Sequence, residues 1–192
     1  DIIMPLFLFV VGAVIPFSLS KRMQENTSKS TLYLKLLKRF VLLFILGWIV
    51  QGNLLKLDSE EFRIFSNTLQ AIAVGYFFSC ISYIHLTKKW RYFVFVSCLI
   101  SYALLLSVTN VPGLGQSELL PDQNLALYID RFVFGKFDDG TQYTWLLSGF
   151  GFTATTLSGI FAGELIKSKH PRKKVAMYLM IYGIIGLSIG LI

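Results

Sequence analysis

The sequence predicts an all-α fold, a polytopic membrane bundle of about six transmembrane helices, and three observations predict it. Six apolar segments approach bilayer-spanning length. Only 15% of the 192 residues are charged, against a mean hydropathy of +0.62. Most of the basic residues fall in alternate connections between the apolar segments. Soluble domains carry about 25% charged residues, so the low charge points to lipid as the solvent and to the bilayer as a partner. A net charge of +7 can serve nucleic-acid binding when it forms an exposed face on a polar domain. Here the cations sit in short loops between apolar runs, where they set orientation, and no nucleic-acid partner is expected.

A helix of about 20 apolar residues crosses the hydrocarbon core. The expected helices, all in one membrane domain, are 2–20, 36–55, 64–86, 92–110, 143–166 and 175–192. The second has a short core, Phe40–Leu55, extended backwards by Leu36-Leu37 and by Leu32-Tyr33-Leu34. The first lacks the basic leader and small-residue cleavage site of a signal peptide. Pro5 and Pro16 are expected to interrupt it, since proline loosens and kinks a membrane helix.

One side of the bundle receives Lys21, Arg22, Lys29, Lys35, Lys38 and Arg39, then Lys88, Lys89 and Arg91, then Lys167, Lys169, Arg172, Lys173 and Lys174, together 14 of the 18 basic residues. The other side has Lys56, Arg63, Arg131 and Lys136 with nine of the 11 acids, among them Asp1, Asp58 and Asp130. The positive-inside rule puts the basic loops in the cytoplasm. Asp1 then opens at the outer mouth of a helix and Ile192 ends inside another. The sequence therefore reads as the interior of a longer polytopic protein, with at least one helix before it.

The loop 111–142 lies outside in this topology. It opens on Pro112-Gly113-Leu114-Gly115, a turn-rich stretch. Leu125, Ile129, Phe132 and Val133 then recur at helical spacing. With Asp122 or Asn124 to cap the start and Gly135 to end it, this predicts a short amphipathic helix lying on the outer membrane face. Asp130 and Arg131 are adjacent, so on such a helix they face apart.

Polar groups within membrane helices are functional candidates. Asn67, Thr68 and Gln70 stand near the outer end of the third helix, where interhelical hydrogen bonding is the competing role. Thr153, Thr155, Thr156 and Ser158 make the fifth helix hydroxyl-rich, suited to packing or to lining a polar tunnel. Gly159 and Gly163, like Gly186 and Gly190, form small-xxx-small faces for close helix packing. No strand precedes the glycines of the fifth helix, so they are no nucleotide loop. Glu164 reads as a paired or snorkelling acid. Cys80 and Cys98 read as small apolar thiols. His85 and His170 read as interfacial residues, and no metal-ligand spacing is present. On the outer side Asn124, Tyr128, Asp130 and Arg131, near Asp1, Asp58 and Arg63, suit a sugar-binding rim: carboxylates and amides bond hydroxyls, and tyrosine offers a stacking face. A structural salt-bridge network competes with that reading.

Three segments resemble a known family. Asp1-Ile-Ile-Met-Pro-Leu-Phe-Leu-Phe-Val-Val-Gly12 resembles the Asp-Leu-x-x-Pro-x-Phe-x-Phe-x-x-Gly segment of the heparan-α-glucosaminide N-acetyltransferase-like transmembrane acyltransferases. Thr68-Leu-Gln-Ala-Ile-Ala-Val-Gly-Tyr76 resembles the family's Val-Leu-Gln-Arg-Ile-Ala segment, and Asn124–Arg131 its Ala-x-Tyr-Ile-Asp-Arg segment. Their order and spacing fit the family across most of the chain. Departures are Ala71 in place of an arginine, Arg63 displaced by one position, and Thr141-Gln-Tyr-Thr-Trp-Leu146 in place of an acidic segment; they indicate a divergent bacterial branch.

The resemblance implies an enzyme of the bacterial inner membrane that moves an acetyl group from cytoplasmic acetyl-CoA to an amino sugar or glycan outside. The family's histidine, the general base that activates the acceptor, would lie upstream of Asp1, leaving this stretch catalytically incomplete. Asp1 would orient it or the acceptor. Gln70, with Asn67 and Arg63, would shape the membrane-depth site; Asn124, Tyr128, Asp130 and Arg131 would shape the rim. Lys167, Lys169, Arg172, Lys173 and Lys174 would attract the CoA phosphates. No metal is implied, and homo-oligomerisation is left open. The alternatives are a transporter or channel component, to which an inverted repeat would point, and a non-catalytic membrane scaffold.

Overall fold

The computed structural model describes residues 2–24, 28–51, 62–111, 115–116 and 123–190. Among them are seven α-helices: α1 (Ile3–Gln24), α2 (Lys29–Val50), α3 (Thr68–His85), α4 (Lys88–Val108), α5 (Leu125–Phe134), α6 (Gly149–Lys167) and α7 (Arg172–Gly190). Apart from them, β1 (Asn110–Val111) and β2 (Gly115–Gln116) pair in a two-residue antiparallel ladder. Asp1 and Asp58, and the Pro112–Leu114 turn, lie outside the described residues.

Three helices are long and apolar enough to cross a membrane, over Ile3–Lys21, Lys88–Val108 and Arg172–Gly190, and their buried shares are only 28%, 11% and 0%. The protein is therefore membrane-associated. Packing shields the two central helices most. α3 and α6 carry the amide and hydroxyl groups and form the interior, whereas the outer helices turn apolar side chains outward.

α1 and α6 run parallel and touch backbone to backbone. A Cβ placed on Gly159 would stand 2.1 Å from the Phe9 carbonyl oxygen, one on Gly163 2.2 Å from that of Ala13, and one on Gly12 2.0 Å from that of Thr156. The small-xxx-small face expected at Gly159 and Gly163 is thus a helix contact. Gly186 and Gly190 have nothing within 4 Å. Beside this seam, Ile15, Leu19, Leu32, Leu36, Tyr76, Cys80, Leu157 and Ile160 form one core cluster, joining α1, α2, α3 and α6. α4 closes the bundle antiparallel to α6, with Tyr92 stacked on Phe161 at 4.1 Å.

The hydroxyls of α6 turn back on their own helix: Thr153 to the Gly149 carbonyl (2.8 Å), Thr155 to Gly151 (2.9 Å), Thr156 to Phe152 (2.8 Å) and Ser158 to Thr155 (2.7 Å). Such bonds satisfy the group locally, which is how a hydroxyl-rich helix packs without partners.

Several boundaries differ from those expected. The prolines do not interrupt α1: Pro5 falls in the first turn, where its missing N–H would be unsatisfied anyway, and Pro16 lies inside a continuous helix. α2 starts at Lys29 rather than 36, because Leu32 and Leu36 are buried in the core and draw the basic turns into the helix; residues 52–55 of its expected end lie outside the described residues. The third helix starts at Thr68 rather than 64, since Asn67 caps it by accepting from Leu69 N at 2.9 Å. The fifth starts at Gly149 rather than 143, for a reason that belongs to the site.

Candidate functional site

At the end of the bundle opposite the basic connections, residues 62–67 lead into α3 in extended and bent conformations. Such a segment leaves backbone groups without helical partners, and buried groups of that kind need substitutes. Gln70 supplies them. It is 0% exposed, its Oε1 accepts from Ser66 N at 2.9 Å, and its Nε2 donates to the Ile64 carbonyl at 3.0 Å. The same carbonyl accepts from Trp48 Nε1 at 2.9 Å. Asn67 Nδ2 donates to Gln51 Oε1 at 3.3 Å. Arg63 reaches across to the Lys136 carbonyl at 3.0 Å, and Ile64 N donates to the Phe137 carbonyl at 3.2 Å. The segment is thereby fastened to the turn that follows α5.

α5 is the short amphipathic helix the sequence predicts. Asn124 caps it, accepting from Leu127 N at 2.9 Å, and Gly135 ends it with φ of +54°, where a left-handed residue suits glycine. Towards the protein it turns a face that includes Leu125 and a charge, leaving Phe132 and Val133 outward, where a helix lying on the membrane face meets lipid. Leu125, Ala126, Leu127, Asp130 and Phe134 are buried, while Phe132 is 78% and Val133 58% exposed. The reason is Asp130, which is 0% exposed and faces away from the exposed Arg131. Its carboxylate accepts from Trp145 N at 2.5 Å and from Leu146 N at 3.1 Å. Those two N–H groups are aimed at a side chain in another element, so 143–148 stays non-helical and α6 begins only at Gly149. Trp145 also donates its indole N–H to Asp139 at 2.7 Å and stacks on Phe65 at 5.0 Å. Burial pushes the Asp130 carboxyl above the ordinary carboxylate range; Asp138 and Asp139 add to this, and the two backbone donors oppose it.

The structure thus brings Arg63, Asn67, Gln70 and Asp130 into one knot around Phe65 and Trp145. There their polar atoms hold backbone. Tyr128, half-buried, stacks on Phe132 at 6.2 Å, and Tyr128 and Arg131 stand along α5 apart from the knot. Two of the three family-like segments meet here: Met4 and Leu8 of α1 and Ala71 of α3 share a hydrophobic cluster with Phe65, Phe134, Trp145 and Phe152, and the third is tied to it by the bonds of Asp130 to Trp145 N and Leu146 N. Sequence reading missed Phe65 and Trp145 because aromatic residues are common at both membrane interfaces. It also missed the turn Asp138–Thr141, where Asp138 accepts from Gly140 N at 3.1 Å and Asp139 from Thr141 N at 2.9 Å. The Asp-Asp-Gly-Thr string, with its self-bonding carboxylates, was the available signal.

At the basic end, Glu164 pairs with Arg91 at 2.7 Å, with Lys88 at 4.0 Å, and the Arg91 guanidinium lies 4.5 Å over the Tyr83 ring. This is the paired acid the sequence suggests. Lys167 donates to the Pro16 carbonyl at 3.1 Å and bonds Ser20 Oγ, tying α6 to α1. Lys169, Arg172, Lys173 and Lys174 are exposed along the α6–α7 connection. A cavity of about 320 Å³ opens elsewhere at this end, between α1, α2 and α3, lined by Lys35, Lys38 and Arg39 with Ser18 and Tyr76. The sequence showed these cations only as topology determinants. His85 shares a hydrogen bond with Tyr33 and stacks on it at 5.9 Å. Cys80 is buried and Cys98 half-buried, both as free thiols. Among the described residues no cluster of His, Cys, Asp or Glu is arranged to hold a metal ion.

No curated protein matches the chain. Residues 1–52, which hold α1 and α2, match a family described as a domain of unknown function, DUF5009.

Proposed function

We propose that this chain forms part of a transmembrane acyltransferase of about six spans in a bacterial inner membrane. In this reading the basic loops are cytoplasmic, acetyl-CoA delivers its acetyl group from that side, and an amino sugar or glycan accepts it on the other. The observation that carries the reading is convergence: of the three segments that resemble the heparan-α-glucosaminide N-acetyltransferase-like family, far apart in sequence, two share one cluster at one end of the bundle and the third is hydrogen-bonded to that cluster through Asp130 and the Trp145 N–H. Unrelated similarities have no reason to meet. The roles within that end divide by what the side chains already hold. Gln70, Asn67 and Asp130 position backbone around the site, while Arg131 and Tyr128 offer the charge and ring face for an acceptor. Asp1 would orient the acceptor or an upstream histidine, and the exposed Lys169, Arg172, Lys173 and Lys174 would attract CoA phosphates electrostatically. The hydroxyls of α6 are spent on their own helix, so the transport reading gains no supporting observation.

The test uses the purified full-length protein with radiolabelled acetyl-CoA and a panel of amino sugars. Transfer to at least one acceptor is expected. A folded protein that acetylates none of them, and releases no CoA, overturns the proposal.

A further inference from the structure

We propose that the cavity between α1, α2 and α3 at the basic end is a receptor for a phosphate group presented by an anionic phospholipid. Its polar wall is made of Lys35, Lys38, Arg39, Ser18 and Tyr76, with leucines forming the rest, and among the described residues no carboxylate lines it. The Lys35–Lys38 and Lys35–Arg39 spacings put like charges on one helix face, an arrangement that repels itself. Among the described residues no ion pair relieves it, and the described acid near this end, Glu164, is taken by Arg91 and Lys88.

Depth sharpens the argument. Arg39 stands ten residues into α2, about 15 Å along the axis at 1.5 Å per residue, where a membrane-spanning helix enters apolar surroundings and unpaired charge is costly. The Arg39 guanidinium lies over the Tyr76 ring at 4.4 Å. Stacking holds the fork flat and leaves its N–H edges for an oxyanion, the geometry arginine uses for phosphate. Two lysines and a serine hydroxyl add donors, and the leucine wall suits the first methylenes of an acyl chain. Basic pockets between helices at the cytoplasmic interface bind lipid headgroups in this way. The inference does not depend on the acyltransferase reading, and the same chemistry would accept a soluble phosphate such as that of acetyl-CoA, so the experiment separates the two.

Full-length protein in dodecyl maltoside is titrated with phosphatidylglycerol, phosphatidylcholine or acetyl-CoA and followed by native mass spectrometry and thermal melting. One phosphatidylglycerol is expected to be retained and to raise the melting temperature, with phosphatidylcholine doing neither. Lys35→Gln with Lys38→Gln should weaken retention at least about tenfold, while the matched pair Lys169→Gln with Lys173→Gln changes it less than about twofold. Arg39→Lys keeps the charge and the fold but loses the stacked fork, and should weaken retention as well. Equal loss in both double variants would reduce the effect to general surface charge and overturn the proposal. So would displacement of the lipid by equimolar acetyl-CoA, or no preference for phosphatidylglycerol.

Discussion

α6 and α7 are neighbours of equal length, 19 residues each, and both carry a small-xxx-small pair, yet they live in opposite surroundings. α6 buries nine residues and α7 none. The glycines of α6 sit against carbonyl oxygens of α1, and those of α7 meet nothing within 4 Å. α7 is apolar enough to pass as a membrane span, and α6, with four hydroxyls and Glu164, is not among the three that do. The difference teaches how to read membrane sequences. Hydropathy finds helices that face lipid, whereas small and hydroxyl residues mark those that face protein, and the most structurally central helix is among those a hydropathy criterion passes over.

The contrast can be broken most sharply at the glycines. Gly159→Leu drives a side chain into backbone that cannot turn aside, so the loss should reach about 4 kcal/mol, beyond the roughly 1–3 kcal/mol of ordinary overpacking. Gly186→Leu should stay within about 0.5 kcal/mol, as surface changes do. Equal destabilisation of the two in detergent melts would mean that α7 has a partner and the comparison fails. Next in size, Glu164→Ala strands the mostly buried Arg91, at about 3 kcal/mol, and Glu164→Gln should recover part of that. Asp130→Ala, at the point where α6 begins, frees two N–H groups and should cost about 2 kcal/mol; hydrogen exchange at Trp145 and Leu146 reads it directly. The smallest effect is expected from Asn124→Ala, about 1 kcal/mol for a lost cap, confined to exchange protection in α5.

The Asp130 staple also carries a pH signature. Its folded-state pKa is raised by burial, so between the unfolded value, about 3.9, and the raised one, the folded chain holds a proton that the unfolded chain has lost. Stability from this group is therefore greatest at the acid side and falls as pH rises through that window. Asp130→Asn should flatten that slope in melts recorded from pH 4 upwards. A slope unchanged in the variant would assign it to another group.

How much of this was legible depended on whether a residue's role was local. The cap at Asn124, the stop at Gly135 and the close packing at Gly159 and Gly163 are set by neighbours one or two turns away or by residue size, and the sequence showed each; it showed that Glu164 would be paired, but not that its partners, Arg91 and Lys88, come from another helix. The start of α6 was not legible, because the groups that halt it are bonded to Asp130, 15 residues earlier. Asp130 counted as polar and outward-facing, when two N–H groups inside the fold were waiting for it. Gln70 shows the same limit, since nothing in its sequence position tells that residues 64 and 66 need its amide.

The contact between α1 and α6 has a mechanical consequence. Helices held by side chains can slide a little as rotamers adjust, but a seam made of carbonyls lying against glycine Cα atoms has no rotamers to adjust. The nearest alternative register is a full turn away, about 5.4 Å along the axis, with bulky residues to climb over on the way. The pair should therefore behave as a single rigid post on every timescale shorter than unfolding. Any movement that opens the protein to a ligand has to be made by the other helices swinging against that post.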